Sequence, residues 1–244
     1  MTQPASIPSL ARFLEATREQ PPSAEAFCNE NARTVRVDVD GSVWISPGAA
    51  IAYRGHLTFE RLPTLEAHSI GDALTRETAP LVRAVGRGRL YCGHHGSHAR
   101  VLRLQDEGLV VAWHTVLAFE PSLAFSTALV GHGVGLAAGG LVAVTLTGSG
   151  SLALATHGDP IALPVTPGLP VSTDPHATLG WSPSLTPRLK TDLSWRSAFG
   201  HGGHQAVQML FEGEGSVLVQ PFQQPAAFEV RPNSLKQVAK LVNA

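Results

Sequence analysis

The sequence predicts an all-β protein built from two or three copies of one β unit, packed as a sandwich or barrel, with a short helix at each end. Three observations carry this expectation. Through the middle of the chain apolar residues recur with a period of two, the spacing at which a strand turns alternate side chains to one face. Glycine and proline, 24 and 18 of the 244 residues, punctuate these runs every eight to twelve residues or so, as in sandwiches and barrels. One stretch of the chain also matches another without a gap.

The ends differ from the middle. Behind Ser9, a candidate N-cap, Leu10, Phe13, Leu14 and Thr17 fall on one helical face, and Pro21-Pro22 stops the helix. Near the other end Ser234 and Gln237 form a capping box, followed by a stripe of Leu235, Val238, Leu241 and Val242. The predicted division is an N-terminal helix and linker over 1–26, one β domain over 27–230, and a C-terminal helix over 231–244.

Between them, Val35, Val37 and Val39 alternate with Arg36, Asp38 and Asp40, and Asp40-Gly41 reads as a tight turn into Ser42-Val-Trp-Ile45. Further strands are expected at 51–53, 101–104, 109–113, 152–155, 207–211 and 217–220. No long helical pattern alternates with them, which argues against a parallel α/β sheet.

Shifting the chain by 62 positions lays 86–123 on 148–185, with ten of 38 positions identical. The matches include Gly86/Gly148, Gly88/Gly150, Leu90/Leu152, His95/His157, Gly96/Gly158, His114/His176 and the two Pro-Ser-Leu runs ending at Leu123 and Leu185. A third opening, Gly213-Glu-Gly-Ser-Val217, repeats the start. The two copies should superpose strand for strand, with Leu90 and Leu152 at equivalent buried positions.

Composition excludes several classes. A 43% hydrophobic content excludes a disordered chain, and a net charge of −1 with three lysines argues against nucleic-acid binding. From Pro121 to Gly158 there is no charged residue, and Gly131, Gly135 and Gly139 make a doubled G-x-x-x-G. Eight glycines there are poor helix material, so Leu141–Thr147 is expected as a buried strand and no transmembrane span is expected. Cys28 and Cys92 cannot form a disulfide framework and no signal peptide precedes them, so a reducing cytoplasm is the expected compartment.

The candidate chemistry is in the histidines. His94, His95 and His98 cluster, as do His201 and His204. A cupin-like metal site would use them, but it needs His-x-His on one strand, whereas adjacent His94 and His95 would face opposite ways and the rest lie on glycine turns. No metal or cofactor site is therefore expected. The G-x-G pairs at 86/88, 148/150 and 213/215 are followed by strands and read as turns, not as dinucleotide fingerprints. No G-x-S-x-G elbow is present, and Asp159-Pro160 and Asp174-Pro175 read as turn formers.

Four runs carry a resemblance: Trp44-Ile-Ser-Pro-Gly-Ala-Ala-Ile-Ala-Tyr-Arg-Gly55, Gly148-Ser-Gly-Ser-Leu-Ala-Leu-Ala-Thr-His-Gly158, Val171-Ser-Thr-Asp-Pro-His-Ala-Thr178 and Phe211-Glu-Gly-Glu-Gly-Ser-Val-Leu-Val-Gln220. Over about residues 27 to 225 the chain resembles bacterial members of the "altered inheritance of mitochondria" family numbered twenty-four. One departure is Gly203-His204 where the family carries Gly-Glu. The resemblance implies a duplicated all-β fold related to the trp RNA-binding attenuation protein and the double-stranded β-helix, and no catalytic residues. The expected function is a non-catalytic, homo-oligomeric scaffold or binding module. The alternatives are a cupin-like metal enzyme and a membrane-associated organiser with a peripheral membrane or protein partner.

Overall fold

The structure, a computed structural model, describes residues 7–61, 81–130, 141–191 and 207–221. Among the described residues one α-helix, α1 (Leu10–Ala16), is capped by Ser9, whose hydroxyl accepts from the Arg12 amide at 3.3 Å. Its apolar face is not buried: Leu10, Phe13 and Leu14 all stay exposed. The expected C-terminal helix, His201, His204 and the Gly131–Gly139 run lie outside the described residues.

Fourteen strands follow: β1 (Phe27–Asn31), β2 (Thr34–Ile45), β3 (Ala50–Arg61), β4 (Val82–Cys92), β5 (His98–Ala112), β6 (Val116–Phe119), β7 (Ala124–Val130), β8 (Leu141–Thr156), β9 (Ile161–Val165), β10 (Val171–Thr173), β11 (Thr178–Trp181), β12 (Arg188–Thr191), β13 (Val207–Phe211) and β14 (Gly215–Val219). Eleven form one sheet in the order β3-β4-β2-β6-β8-β5-β11-β14-β9, with β1 on β2 and β7 on β8. A second sheet runs β10-β13-β12. The large sheet does not close on itself among the described residues, so the fold is an open, sandwich-like all-β architecture and not a barrel.

Three of the expected turns are strand interior. The chain does not turn at Asp40-Gly41. β2 continues through Gly41 and stays paired with β4 from Val35↔Cys92 to Ile45↔Val82. Gly86 and Gly88 sit inside β4, and Gly148 and Gly150 inside β8. At Gly86 and Gly88 the reason is close backbone approach. A Cβ on Gly86 would stand 2.0 Å from the His56 carbonyl oxygen, and one on Gly88 2.3 Å from that of Arg54. Glycine admits a strand crossing there, not a reversal. Only the third pair behaves as expected, with Gly213 (φ +120°) bending the chain into β14. Likewise, 101–104 and 109–112 are not separate strands: β5 carries both across a register shift between Leu104 and Glu107, where Asp106 has φ +58°, and Trp113 opens a 3-10 turn.

The two matched stretches share local structure at β6 and β11 but do not correspond strand for strand: β5 is one strand, whereas its counterpart is divided between β9 in the large sheet and β10 in the second. Adding 62 to the ends of β6 gives the ends of β11. β6 pairs with β8 through Val116↔Leu154, Ala118↔Ala153 and Phe119↔Leu152; β11 pairs with β14 through Thr178↔Val219, Gly180↔Leu218 and Trp181↔Val217, with the same irregularity at the same place. Leu90 and Leu152 are both fully buried. The uncharged stretch is core strand as expected: Val142, Ala143, Val144 and Leu146 of β8 are buried.

A three-unit pattern emerges that the 62-residue shift alone does not reveal. Ile45-Ser-Pro-Gly-Ala49, Phe119-Glu-Pro-Ser-Leu123 and Trp181-Ser-Pro-Ser-Leu185 each close a proline turn, with the last amide donating to the second residue's carbonyl at 3.1, 3.1 and 3.0 Å. Each supplies a separate core: Ile45 and Ala49 with Leu90, Phe119 and Leu123 with Leu152, Trp181 and Leu185 with Val217. Proline at the second turn position presets φ, and the flanking apolar residues then point into the core together.

The segment after α1 is strapped to the β2-β3-β4 face. Glu19 accepts from Tyr91 Oη, from Arg54 Nη2 at 2.8 Å and from Arg89 Nη1 at 3.0 Å. The Tyr91 hydrogen bond, with the two guanidinium groups, holds the Glu19 carboxyl below the ordinary carboxylate value. Arg36, fully buried in β2, donates from Nη1 to the Gln20 and Pro21 carbonyls at 2.9 and 3.1 Å.

Both cysteines are free thiols, and burial pushes the Cys92 thiol up to about 12. Thiolate is the reactive form. A maleimide reagent at neutral pH should therefore leave Cys92 unlabelled in the folded protein and label it on denaturation. Labelling of native Cys92 at the rate of the unfolded chain would contradict its burial.

Candidate functional site

An open cleft of about 300 Å³ lies where the ends of three units meet, lined by Arg33, Gly96, Ser97, His98, Thr156, His157, Gly158 and Pro221. The first unit supplies the β4–β5 turn, in which His95 (φ +43°) and Gly96 (φ +72°) reverse the chain and the Ser97 amide donates to the His94 carbonyl at 2.8 Å. The second supplies the β8–β9 turn, where Gly158 has φ +80°. The third supplies Gln220 and Pro221 after β14. The Gln220 side-chain oxygen accepts from the His157 amide at 2.9 Å, and the Gln220 amide donates to the Ala177 carbonyl at 2.9 Å.

Each polar side chain has a local reason for its place. Arg33 sits on the β1–β2 turn, which is fixed by its own amide donating to Asn31 Oδ1 at 2.8 Å, and its Nη1 donates to the Gly96 carbonyl. His98 opens β5 opposite Thr156 of β8. The hydroxyl of Thr156 is engaged with the Gly158 carbonyl at 3.1 Å. Ser97 Oγ lies 3.2 Å from His157 Nε2, a hydrogen bond whose direction depends on the ring's protonation. Asp159, beside the cleft, is paired with Arg100.

The predicted histidines are brought together only in part. His94 and His95 are not on a strand, because β4 ends at Cys92. The alternation that would send them to opposite faces does not apply, and their rings meet edge to face at 4.3 Å. His95 is exposed, as a turn histidine should be, while His94 and His98 are half-buried. No group of three or more His, Cys, Asp or Glu able to hold a metal ion occurs among the described residues. The sequence reading picked out His98 but passed over Arg33, Ser97 and Thr156. The duplicated His-Gly dipeptides, 95–96 and 157–158, were the available signal.

The duplicated histidines form an electrostatic group. Burial, with the neighbouring charges of His176, His94 and His157, lowers His114 to about 4. Burial also lowers His94, with His95 and His157 contributing, and His157, with His98 contributing. The folded protein thus holds the His114 ring neutral, and the unfolded chain binds the proton more readily. The resulting stability is complete above about pH 6.5 and lost as the pH falls toward 4, up to about 3 kcal/mol. Urea midpoints measured across that window should fall, and His114→Gln should flatten most of the decline. An equal slope in the variant would contradict this.

Fold and site together define an open, antiparallel β-repeat protein with a cleft lined by Arg33, His98 and His157 where three units converge. The family model "Mitochondrial biogenesis AIM24" matches residues 27–222, and the chain belongs to that family. The fold also resembles the crystal structure of a Streptococcus pyogenes protein, with a TM-score of 0.61 at 18% identity over 89% of this chain and 96% of that one. No curated protein matches. No helix among the described residues is long and apolar enough to cross a membrane.

Proposed function

We propose that the protein is a non-catalytic scaffold of the reducing cytoplasm that self-associates through the free edge of β3. The observation that carries this reading is the strand itself. β3 ends the large sheet, runs for 12 residues and is exposed along nearly its whole length, including Ile51, Tyr53 and Phe59. Among the described residues β3 pairs with β4 alone. An open edge of this length is a template for another strand.

The sequence of β3 fits a second copy of itself. Antiparallel pairing about Leu57 sets Glu60 opposite Arg54, Arg61 opposite Tyr53, and Phe59 opposite Gly55, where no side chain competes for space. Opposite charges and aromatic contacts across strands are the stabilising pairs of such ladders. Support for a non-catalytic role comes from the thiols: burial raises Cys28 and takes Cys92 to about 12, so neither offers a thiolate nucleophile.

Light scattering after size exclusion tests the reading. The wild-type chain should run at twice its 25.7 kDa mass or more. Phe59→Lys should weaken association about tenfold or more. A monomeric wild type at tens of micromolar, or an unchanged variant, would sink it.

A further inference from the structure

We propose that the cleft between the β4–β5 turn, the β8–β9 turn and Pro221 binds a small phosphate-type oxyanion. This stands apart from self-association through β3 and can fail separately. The first ground is the donor set. Arg33, His98, His157 and Ser97 arrive from three segments far apart in sequence, and among the described residues that line the cleft none is a carboxylate. Asp159, on the same turn as His157, is tied to Arg100. A guanidinium and two imidazoles around one opening form a site for negative charge, and charge-assisted hydrogen bonds to an oxyanion are the strong kind.

The second ground is the Ser97–His157 pair. With His157 neutral, the Ser97 hydroxyl can donate to Nε2. With the ring protonated, Nε2–H donates to Ser97 Oγ and the hydroxyl proton is released for a ligand. An arriving anion favours the protonated ring, so ligand charge and donor direction reinforce each other. Among the described residues His94, His98 and His114 act on that ring, Arg33 lines the same cleft, and Asp159, two residues on, is ion-paired with Arg100. The third ground is size: about 300 Å³ accommodates a phosphate with a small organic substituent.

Calorimetric titration of the full chain at pH 6 with inorganic phosphate, methyl phosphate and acetate is the test. Phosphate or methyl phosphate should bind at millimolar concentration or below, and the tighter of the two identifies the form the cleft takes. Acetate should bind about tenfold more weakly, and Arg33→Gln should lose about tenfold or more in phosphate affinity. Arg87→Gln, at an exposed ion pair with Asp40, should bind phosphate as the wild type does. The ring protons of His98 and His157 should shift on adding phosphate to the wild type, a readout that no folding defect can mimic. Absent binding, equal affinity for acetate, undiminished binding by Arg33→Gln or unmoved ring protons would each overturn the proposal.

Discussion

Replacing Gly86 with alanine should lower the unfolding free energy by about 4 kcal/mol or more, among the large single-site effects. The same change at its cross-strand neighbour Gly41 should cost only about 1–2 kcal/mol. Both have positive φ, +133° and +106°, so both changes carry conformational strain. They differ in what the new methyl meets. At Gly86 it would stand 2.0 Å from the His56 carbonyl oxygen, while at Gly41 nothing lies within 4 Å. Relief at Gly86 requires β3 to move off β4, which opens ladder bonds along both strands. Equilibrium urea unfolding of the two variants is the measurement, and equal losses would show that strain alone, not backbone contact, sets the penalty.

Leu152→Ala should cost about 3–5 kcal/mol, because the side chain is fully buried and the site has little freedom to collapse. It packs beside Phe119, Leu123, Val144 and Leu154 in the middle core, on the strand that pairs with β5, β6 and β7. Leu102, its partner across the ladder, is 38% exposed, and Leu102→Ala should cost less than about 1 kcal/mol. Leu90 and Leu152 lie in different cores, so their alanine losses should add within about 0.5 kcal/mol. A Leu152→Ala loss near that of Leu102→Ala would contradict the equivalence drawn from the repeat.

The period of two at Val35, Val37 and Val39, the uncharged apolar run 141–147 and the match between 86–123 and 148–185 were enough to read strands there and buried Leu90 and Leu152 directly from the chain. The glycine pairs misled for a physical reason. Glycine serves a turn, a close backbone approach as at Gly86 and Gly88, and a crowded side-chain pocket as at Gly150, and sequence does not distinguish the three. The first proline turn escaped because Ile45-Ser-Pro-Gly-Ala49 shares only its proline and a serine with the later copies, and its equivalence lies in a hydrogen bond and a core position. The cleft was less legible still. His157 was visible as a repeat partner of His95, but Arg33 and Ser97 lie more than 50 residues from it: the pairing of β5 with β8 brings Ser97 beside it, and the Ala99 amide's bond to the Ala32 carbonyl brings Arg33.

That pairing also dictates an order of events at birth. β1 to β4 pair among themselves, so the first 92 residues can close a sheet as they leave the ribosome. β5 and β7 cannot do so, and β6 finds only its short pairing with β2, because the strand they share, β8, ends only at Thr156. At roughly 5–20 residues per second, the stretch from Ala112 to Thr156 takes several seconds to synthesise. During that interval Leu104, Val111, Val116 and Leu123 lack Val144, Leu146, Leu152 and Leu154 of β8, which complete the middle core. The nascent chain therefore carries its greatest aggregation hazard in mid-synthesis, and a ribosome stalled between residues 120 and 140 should hold a chain that recruits chaperones far more strongly than one stalled at 100 or released whole.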